Sequence, residues 1–288
     1  MIIVHRREVS GILAEELDVQ IRLFGDAALP TLVYLPGLHG DWTLVTGFRL
    51  AIANRVRFVD VTYPRRLDWS VKDYADAIET GLLRHGIERG WLLGESWGSQ
   101  PAWALTGRAL QKTGRFEVHG LILAGGFVKH PWKRGPGALK WIGANTPQWL
   151  YQFELAIFRA YAWFRHAHTQ EVRESMRQFA ARRTELDREC MRQRLDLLAD
   201  FDPRDIARQT RIPVHYLAGF ADPLVPWQLV RWWLRKHCPG YRGGRTFWLS
   251  DHNVLSCCPK ATAAAAVKWM TPSATAPAQA TRLSRLDW

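Results

Sequence analysis

The chain has 288 residues, of which 47% are hydrophobic and 23% are charged, the composition of an ordinary globular protein with room for a sizeable core. No apolar run approaches the roughly 20 residues that a membrane-spanning helix needs. The formal net charge of +12 is compatible with a nucleic-acid or anionic membrane partner, but the basic residues are spread along the chain, which favours a solvated surface. The N-terminal residues do not follow the pattern of a secretory signal, and we expect a cytoplasmic protein.

Short apolar runs alternate with amphipathic stretches along the first third of the chain. The predicted strands there are Ile2–Arg6, Val19–Phe24, Thr31–Leu35, Val56–Val61, Trp91–Leu93 and Leu121–Ala124, and the predicted helices are Val71–His85 and Trp97–Lys112. The alternation resumes later with a strand at Val214–Ala218, a helix at Trp227–His237, a strand at Arg245–Leu249 and a helix at Asn253–Met270. This order predicts an α/β fold with a mostly parallel β-sheet flanked by helices.

Residues 129–200 interrupt the alternation and contain no strand-like run. Three helical stretches are predicted in them, at Gln148–Phe164, Thr169–Phe179 and Thr184–Ala199. We therefore predict a core formed by residues 1–128 and 201–270, a helical cap formed by residues 129–200, and a disordered tail at 271–288, which is rich in Ala, Pro, Ser and Thr.

The predicted cap is rich in aromatic and arginine side chains. Its aromatic residues indicate a hydrophobic pocket, although most of them are expected to pack the cap onto the core: Trp132, Trp141, Trp149, Tyr151, Phe153, Phe158, Tyr161, Trp163 and Phe164. Its arginines recur at helical spacing among acidic residues, and we expect them on solvated helix faces: Arg173, Arg177, Arg182, Arg183, Arg188, Arg192 and Arg194.

The segment Gly94-Glu95-Ser96-Trp97-Gly98 fits the nucleophile-elbow pattern G-x-S-x-G. It follows a predicted strand directly and precedes a predicted helix, which is the setting that an elbow requires. A tight turn of this kind exposes the serine above the sheet, and Gly94 and Gly98 relieve crowding where strand and helix approach. The alternative is a glycine-rich turn with a passive serine.

A serine hydroxyl needs a general base, and the base needs an acid to orient it. Downstream of Ser96, Asp222 follows one predicted strand and His252 follows the next, so both lie where the carboxyl ends of strands meet. The order serine, acid, histidine is the one expected with an elbow serine. Taken singly, Asp222 is also a common turn or helix-capping residue, and His252 could be an exposed loop histidine.

Three other aspartates are alternatives for the acid. Asp200 and Asp202 precede the Val214–Ala218 strand and would enter the sheet from the opposite edge. Asp251 adjoins His252 and would point elsewhere. Asp222 is therefore the predicted acid.

The layout resembles the α/β-hydrolase superfamily, in its capped branch of serine esterases, over about residues 1–270. Four segments carry the resemblance: Leu35-Pro36-Gly37-Leu38-His39-Gly40, Gly94–Ser99, Gly219–Pro226 and Asp251-His252-Asn253. The run Ser96–Ser99 is also similar to proline iminopeptidase-like members, but those carry a His-Gly-Gly-Pro-Gly loop where this chain has residues 36–40. The serine argues against the epoxide hydrolase and dehalogenase branches, which use an aspartate nucleophile.

The resemblance implies a catalytic triad of Ser96, Asp222 and His252. It also implies an oxyanion hole formed by the backbone N–H groups of Trp97 and Leu38, with Gly37 giving the backbone room. His39 is expected mainly in a structural role. No cofactor is implied, and the four cysteines have no metal-site spacing.

The expected activity is hydrolysis of a carboxylic ester of a small to medium hydrophobic substrate through an acyl-enzyme. Hydrolysis of a thioester, lactone, amide or C–C bond, and acyl transfer, use the same groups and stay open. The expected partner is that small-molecule substrate, without nucleic acid, and contact with a membrane surface is possible but not favoured. A second class also stays open, a non-catalytic basic binding or membrane-surface protein on this fold.

Overall fold

The computed structural model of the protein describes residues 18–131 and 170–271. Seven strands form one sheet: β1 (Gln20–Phe24), β2 (Thr31–Leu35), β3 (Arg57–Thr62), β4 (Arg89–Glu95), β5 (Glu117–Ala124), β6 (Val214–Gly219) and β7 (Tyr241–Phe247). Their order is β1-β3-β2-β4-β5-β6-β7. Only β1 is antiparallel to its neighbour, and the other five pairings are parallel, as the sequence predicts.

Helices cover both faces of this sheet. They are α1 (Thr46–Ile52), α2 (Val71–Arg84), α3 (Ser99–Gln111), α4 (Gln170–Ala181), α5 (Glu185–Asp200), α6 (Arg204–Gln209), α7 (Trp227–His237), α8 (Val254–Cys257) and α9 (Pro259–Met270). Among the described helices, none is long and apolar enough to cross a membrane.

The apolar core has two layers, one on each side of the sheet. Successive residues of β2 alternate between them: Val33 and Leu35 pack with α2 and α3, whereas Leu32 and Tyr34 pack with α1, α8 and α9. This alternation is the period of two that a pleated strand imposes. Both layers are buried, which explains why β2 has an uninterrupted apolar sequence.

Most predicted elements are confirmed, and β2 and α7 have the predicted bounds. β4 is longer than predicted, and its last residue, Glu95, directly precedes Ser96. The predicted strand Arg245–Leu249 was wrong at both ends, because β7 begins at Tyr241, where Gly243 and Gly244 continue the parallel ladder with β6, and it ends at Phe247.

Other differences have local causes. The predicted last helix is two helices, because Pro259 has no N–H to continue a helix and begins α9 instead. The short helices α1 and α6 were not predicted. The predicted strand Ile2–Arg6, the helix Gln148–Phe164, the aromatic residues 132–164 and the tail 272–288 lie outside the described residues.

The prediction that the cap arginines lie on solvated faces was wrong for three of them. Arg183, Arg188 and Arg194 are 6%, 7% and 3% exposed. Charge spacing along a helix does not reveal which face packs against the core. The expected pairing within helices is found for Arg177 with Glu174 and for Arg188 with Glu185.

The start of α3 lies against the end of β2, and this close approach places the elbow. A Cβ added at Gly98 would lie 2.1 Å from the carbonyl oxygen of Leu35 and 2.6 Å from that of Pro36. Both obstacles are backbone atoms, which cannot rotate away.

We expect Gly98→Ala to lower the free energy of unfolding by about 3 kcal/mol, because it overpacks a rigid contact. Gly86→Ala is the matched control. Gly86 has a positive φ of 68° but open space around it, so alanine there costs only backbone strain of about 1 kcal/mol. Urea unfolding measures both changes, and equal losses in the two variants would contradict the steric origin.

Candidate active site

Ser96 lies at the turn between β4 and α3, in the first position of a 3₁₀ turn that spans Ser96–Gly98. Its φ of 50° is in the left-handed region, which costs a non-glycine residue of order 1–3 kcal/mol. Position 94 has no room for a side chain, since a Cβ there would lie 2.9 Å from Cα of Ser99. The strand, turn and helix thus have the geometry that the G-x-S-x-G pattern predicts.

Ser96, His252 and Asp222 form a continuous hydrogen-bond chain. Ser96 Oγ lies 2.8 Å from His252 Nε2, and His252 Nδ1 lies 2.8 Å from Asp222 Oδ2. With its proton on Nδ1, the imidazole donates to the carboxylate and leaves Nε2 to accept the serine hydroxyl proton. This is the arrangement that a serine nucleophile and its general base require.

The second oxygen of Asp222 also has partners. Oδ1 accepts hydrogen bonds from the backbone N–H groups of Leu224 and Val225, at 2.8 and 2.9 Å. Asp222 therefore stabilises the turn after β6 and orients His252 with the same carboxylate. The side chain is completely buried, so its acceptor atoms are directed by the protein and not by solvent.

The pKa of His252 results from opposing effects. Burial of the imidazole lowers it, but the hydrogen bond and the negative charge of Asp222, with smaller contributions from Glu95 and Asp251, outweigh burial and raise the pKa above its usual value. The imidazolium form is therefore stabilised, which is the form that a general base takes after accepting a proton.

Glu95 adds a second buried carboxyl group beside the nucleophile. It is 3% exposed, Tyr34 donates its hydroxyl proton to Oε2, and Oε1 has no hydrogen-bond partner among the described residues. Burial raises the pKa of Glu95, against the hydrogen bond from Tyr34 and the charge of His252. The sequence did not distinguish this residue, although it is the variable position of the elbow next to the serine.

The loop after β2, residues 36–40, passes beside Ser96. A Cβ added at Gly37 would lie 3.3 Å from Cβ of Ser96, so this loop approaches the serine as the prediction for Leu38 requires. Within the described chain, the Leu38 N–H donates to no backbone carbonyl. Trp97 follows Ser96 directly, and its indole is buried against Tyr63 and Tyr74.

Four successive carbonyl groups of this loop are fixed by hydrogen bonds. Tyr63 donates its hydroxyl to Pro36, the N–H of Gly40 donates to Gly37, and the guanidinium groups of Arg194 and Arg183 donate to Leu38 and His39. The two arginines belong to the region of the predicted cap. Sequence reasoning missed their role because no local motif marks a buried arginine.

His252 Nδ1 has Asp222 as its hydrogen-bond partner, and the alternative aspartates have other surroundings. Asp202 pairs with Arg204, and Asp200 is exposed. The Oδ1 atom of Asp251 accepts from the N–H of Asn253 and the thiol of Cys257.

His39 belongs to the loop of residues 36–40, and its ring contacts the ring of Phe179 edge-on, at 6.2 Å between centroids. Burial lowers its pKa to about 4, so the ring is neutral near pH 7. The described residues contain no group of three or more His, Cys, Asp or Glu side chains that could hold a metal ion.

The chain shares its fold with many solved structures of hydrolases, and it has the α/β-hydrolase fold. A hydrolase from Pseudomonas aeruginosa matches with a TM-score of 0.69 and 15% identity, over 88% of this chain and 94% of that one. An esterase from Exiguobacterium antarcticum matches with a TM-score of 0.66 and 16% identity, over 88% and 95%.

An enol-lactonase from Burkholderia xenovorans also matches, with a TM-score of 0.66 and 14% identity, over 88% and 96% of the two chains. No family model and no curated protein sequence matches this chain. At sequence identities of 14–16%, these solved structures are evidence for the fold of the chain and not for its substrate.

We expect Asp222→Asn to lower the pKa of His252 below that of an ordinary histidine, because the amide removes the negative charge and leaves burial in place. An NMR titration of the imidazole measures the shift. In the native protein the stabilising effect of protonated His252 is fully present below about pH 6.5 and is lost as pH rises through the raised pKa.

Asp251→Asn is the control for this titration, since Asp251 also carries a negative charge near His252 but contributes less. We expect a smaller downward shift in that variant. Equal shifts in the two variants would show that the contact between His252 and Asp222 has no special weight.

Proposed function

We propose that the protein is a serine hydrolase that cleaves a carboxylic ester of a small to medium hydrophobic substrate through an acyl-enzyme. The observation that carries the proposal is the chain of two 2.8 Å contacts from Ser96 to His252 to Asp222. A catalytic serine requires a general base at its hydroxyl and a carboxylate that orients the base, whereas a serine without a catalytic role requires neither group. The esterases and hydrolases of the same fold agree with this reaction class.

The first half of the reaction forms the acyl-enzyme. Ser96 Oγ attacks the substrate carbonyl carbon while His252 Nε2 accepts its proton, and Asp222 stabilises the resulting imidazolium. The carbonyl oxygen becomes an oxyanion, which the N–H groups of Leu38 and Trp97 stabilise. Collapse of this intermediate breaks the ester C–O bond, and His252 returns the proton to the departing alcohol.

The second half repeats the steps with water. His252 removes a proton from a water molecule, the hydroxide attacks the acyl carbon, and a second tetrahedral intermediate forms. Its collapse restores the Ser96 hydroxyl with the proton from His252 and releases the carboxylic acid. No redox change or metal ion is needed for these steps.

We also propose that residues 129–200 form a cap over the site. Supporting contacts come from α4 and α5, which lie at the edge of the sheet where the site is found. Thr46 in α1 and Ser175 in α4 share a hydrogen bond of 2.7 Å, and Arg65 after β3 pairs with Asp187 in α5. The aromatic side chains of the cap favour a hydrophobic acyl or alkoxy group.

We expect a fluorophosphonate probe to label Ser96 stoichiometrically in the intact protein, as mass spectrometry of the modified peptide would show. Ser96→Ala abolishes labelling because the nucleophile is absent. His252→Ala lowers the labelling rate on the order of 10³-fold or more because the general base is absent. Ser70→Ala is the control, since Ser70 is an exposed helix cap of α2, and it keeps the native rate.

A folded native protein that is not labelled would contradict the hydrolase proposal. The ester class is tested separately by comparing kcat/KM for p-nitrophenyl esters of rising acyl length with values for a thioester, a lactone and an anilide. Highest kcat/KM for the esters supports the proposed substrate, and highest kcat/KM for another class replaces it while the nucleophile stays the same.

A further inference from the structure

We infer that Arg194 is a positioning residue for the oxyanion hole, a role that rests on the proposed function. It is the only residue of the described chain that hydrogen-bonds to both predicted oxyanion residues. Its Nη1 donates to the carbonyl of Leu38 at 2.7 Å, and its own carbonyl accepts from the indole Nε1 of Trp97, also at 2.7 Å. The two N–H donors come from distant loops, and Arg194 connects them.

The surroundings of Arg194 are those of a fixed group. The residue is 3% exposed, and its guanidinium lies beside the rings of Tyr63, Tyr74 and Trp97, between 5.3 and 5.9 Å from the ring centroids. It donates to the hydroxyl of Tyr74 and the carbonyl of Pro64 as well. No carboxylate of the described residues forms an ion pair with Arg194. The buried guanidinium is instead satisfied by two backbone carbonyls and by the hydroxyl of Tyr74.

The loop conformation depends on this side chain. Gly40 has a φ of 78°, and a Cβ at that position would lie 2.6 Å from Nη1 of Arg194, so loop and guanidinium fit without spare room. With its neighbouring carbonyls fixed, the peptide of Leu38 is held in place, and its N–H donates to no backbone carbonyl of residues 18–131 and 170–271. Preorganised donors of this kind act without reorganisation when the oxyanion forms.

The test compares Arg194→Met, Arg194→Lys and Arg188→Met on an activated ester. We expect Arg194→Met to lower kcat about 100-fold with little change in KM, and to weaken a trifluoromethyl ketone, which forms an oxyanion adduct, by a similar factor. Arg194→Lys keeps a cationic hydrogen-bond donor, and we expect it to retain part of the kcat and part of the ketone affinity that Arg194→Met loses. Arg188 is an equally buried arginine of α5, and its variant controls for the loss of a buried charge.

Two outcomes overturn the inference. If Arg194→Met changes thermal stability or KM but leaves kcat and ketone affinity unchanged, the role of Arg194 is structural only. If Arg188→Met gives the same loss of kcat, the effect is not specific to the oxyanion loop. A native protein without activity or fluorophosphonate labelling overturns the proposed function itself, and the two failures are thereby distinguished.

A separate observation concerns the surface beside the site. Residues 223–250 contain five Arg or Lys and no Asp or Glu, and they include exposed tryptophans. Trp248 is 73% exposed at the end of β7 and Trp232 is 56% exposed on α7. The ring of Trp248 lies 4.1 Å from that of Phe220, and the ring of Phe220 lies 6.2 Å from that of Trp227, so the end of β7 lies beside the start of α7.

We propose that this basic tryptophan surface docks on an anionic lipid bilayer. Arg235 and Lys236 on α7 are exposed and form no ion pair within the described chain, so their charge is available to anionic headgroups. Exposed tryptophan next to Lys and Arg suits the interface between headgroups and acyl chains. Trp248 lies four positions before His252, so docking there would bring the site close to hydrophobic substrates dissolved in the bilayer.

Sedimentation of the Ser96→Ala protein with vesicles tests this docking independently of catalysis. We expect binding to phosphatidylcholine vesicles only when phosphatidylserine is added. Each basic residue near such a surface contributes about fivefold, so Arg235→Gln with Lys236→Gln weakens binding about 25-fold. The control is Lys72→Gln with Lys112→Gln, two exposed cations of α2 and of the end of α3.

Replacing Trp248 by Ser is expected to weaken the same binding, whereas replacing Leu110 by Ser, at 39% exposure on α3, is not. Equal losses in the test and control pairs overturn the docking surface, as does a protein that does not bind anionic vesicles. Retention on RNA or DNA without vesicle binding would assign the cations to nucleic acid and also overturn it.

Discussion

The parallel pairing of the six strands from β2 to β7 brings their carboxyl ends to one edge of the sheet. Each group of the candidate site leaves the sheet there: the loop of residues 36–40 follows β2, Ser96 follows β4, Asp222 follows β6 and His252 follows β7. Ser96 and His252 are 156 positions apart in the chain but 2.8 Å apart in space. A reversed strand would send its loop to the opposite edge and remove its residue from the site.

The turn at Ser96 illustrates how the surrounding structure holds a strained residue. The positive φ of Ser96 opposes folding by of order 1–3 kcal/mol. Neighbouring contacts offset this cost, since the Trp97 ring is almost completely buried and Gly98 allows α3 to approach β2. The serine is therefore kept in one orientation, with its hydroxyl directed to His252.

The electrostatics of the site depend on the interaction between two buried groups of opposite charge, the Asp222 carboxylate and the protonated His252. Asp222 is completely buried with two backbone donors on one oxygen and His252 on the other, so its negative charge acts mainly on the imidazole. The raised pKa of His252 follows from this, despite the burial of the ring. Glu95 directly precedes Ser96 and interacts with the charge of His252, so the site combines two buried carboxyl groups with one histidine.

Buried arginines connect the insertion to the core through hydrogen bonds, which side chains on a solvated helix face would not form. Arg183 and Arg194 reach from the insertion to consecutive carbonyl groups of the loop after β2. A guanidinium group is suited to this because it presents several planar donors and stays charged. Residues that belong to the predicted cap thus determine the shape of a loop in the core.

The sequence by itself determined the class of the fold, the order of its main elements and the three residues of the hydrogen-bond chain. It did so because buried parallel strands have uninterrupted apolar runs, and because a G-x-S-x-G turn after such a strand and polar loops after later strands must share one sheet edge. Local patterns of this kind need no knowledge of distant contacts.

Only the tertiary structure decided the burial of Arg183, Arg188 and Arg194, the partners of Glu95 and the extent of β7. Helical charge spacing is the same for a solvated face and for one packed against a loop, and a Gly-Gly pair is compatible with a turn or with a ladder to a neighbouring strand. These choices depend on atoms far away in the chain, and the carbonyls of Leu38 and His39 that accept hydrogen bonds from the two arginines are more than 100 positions from them.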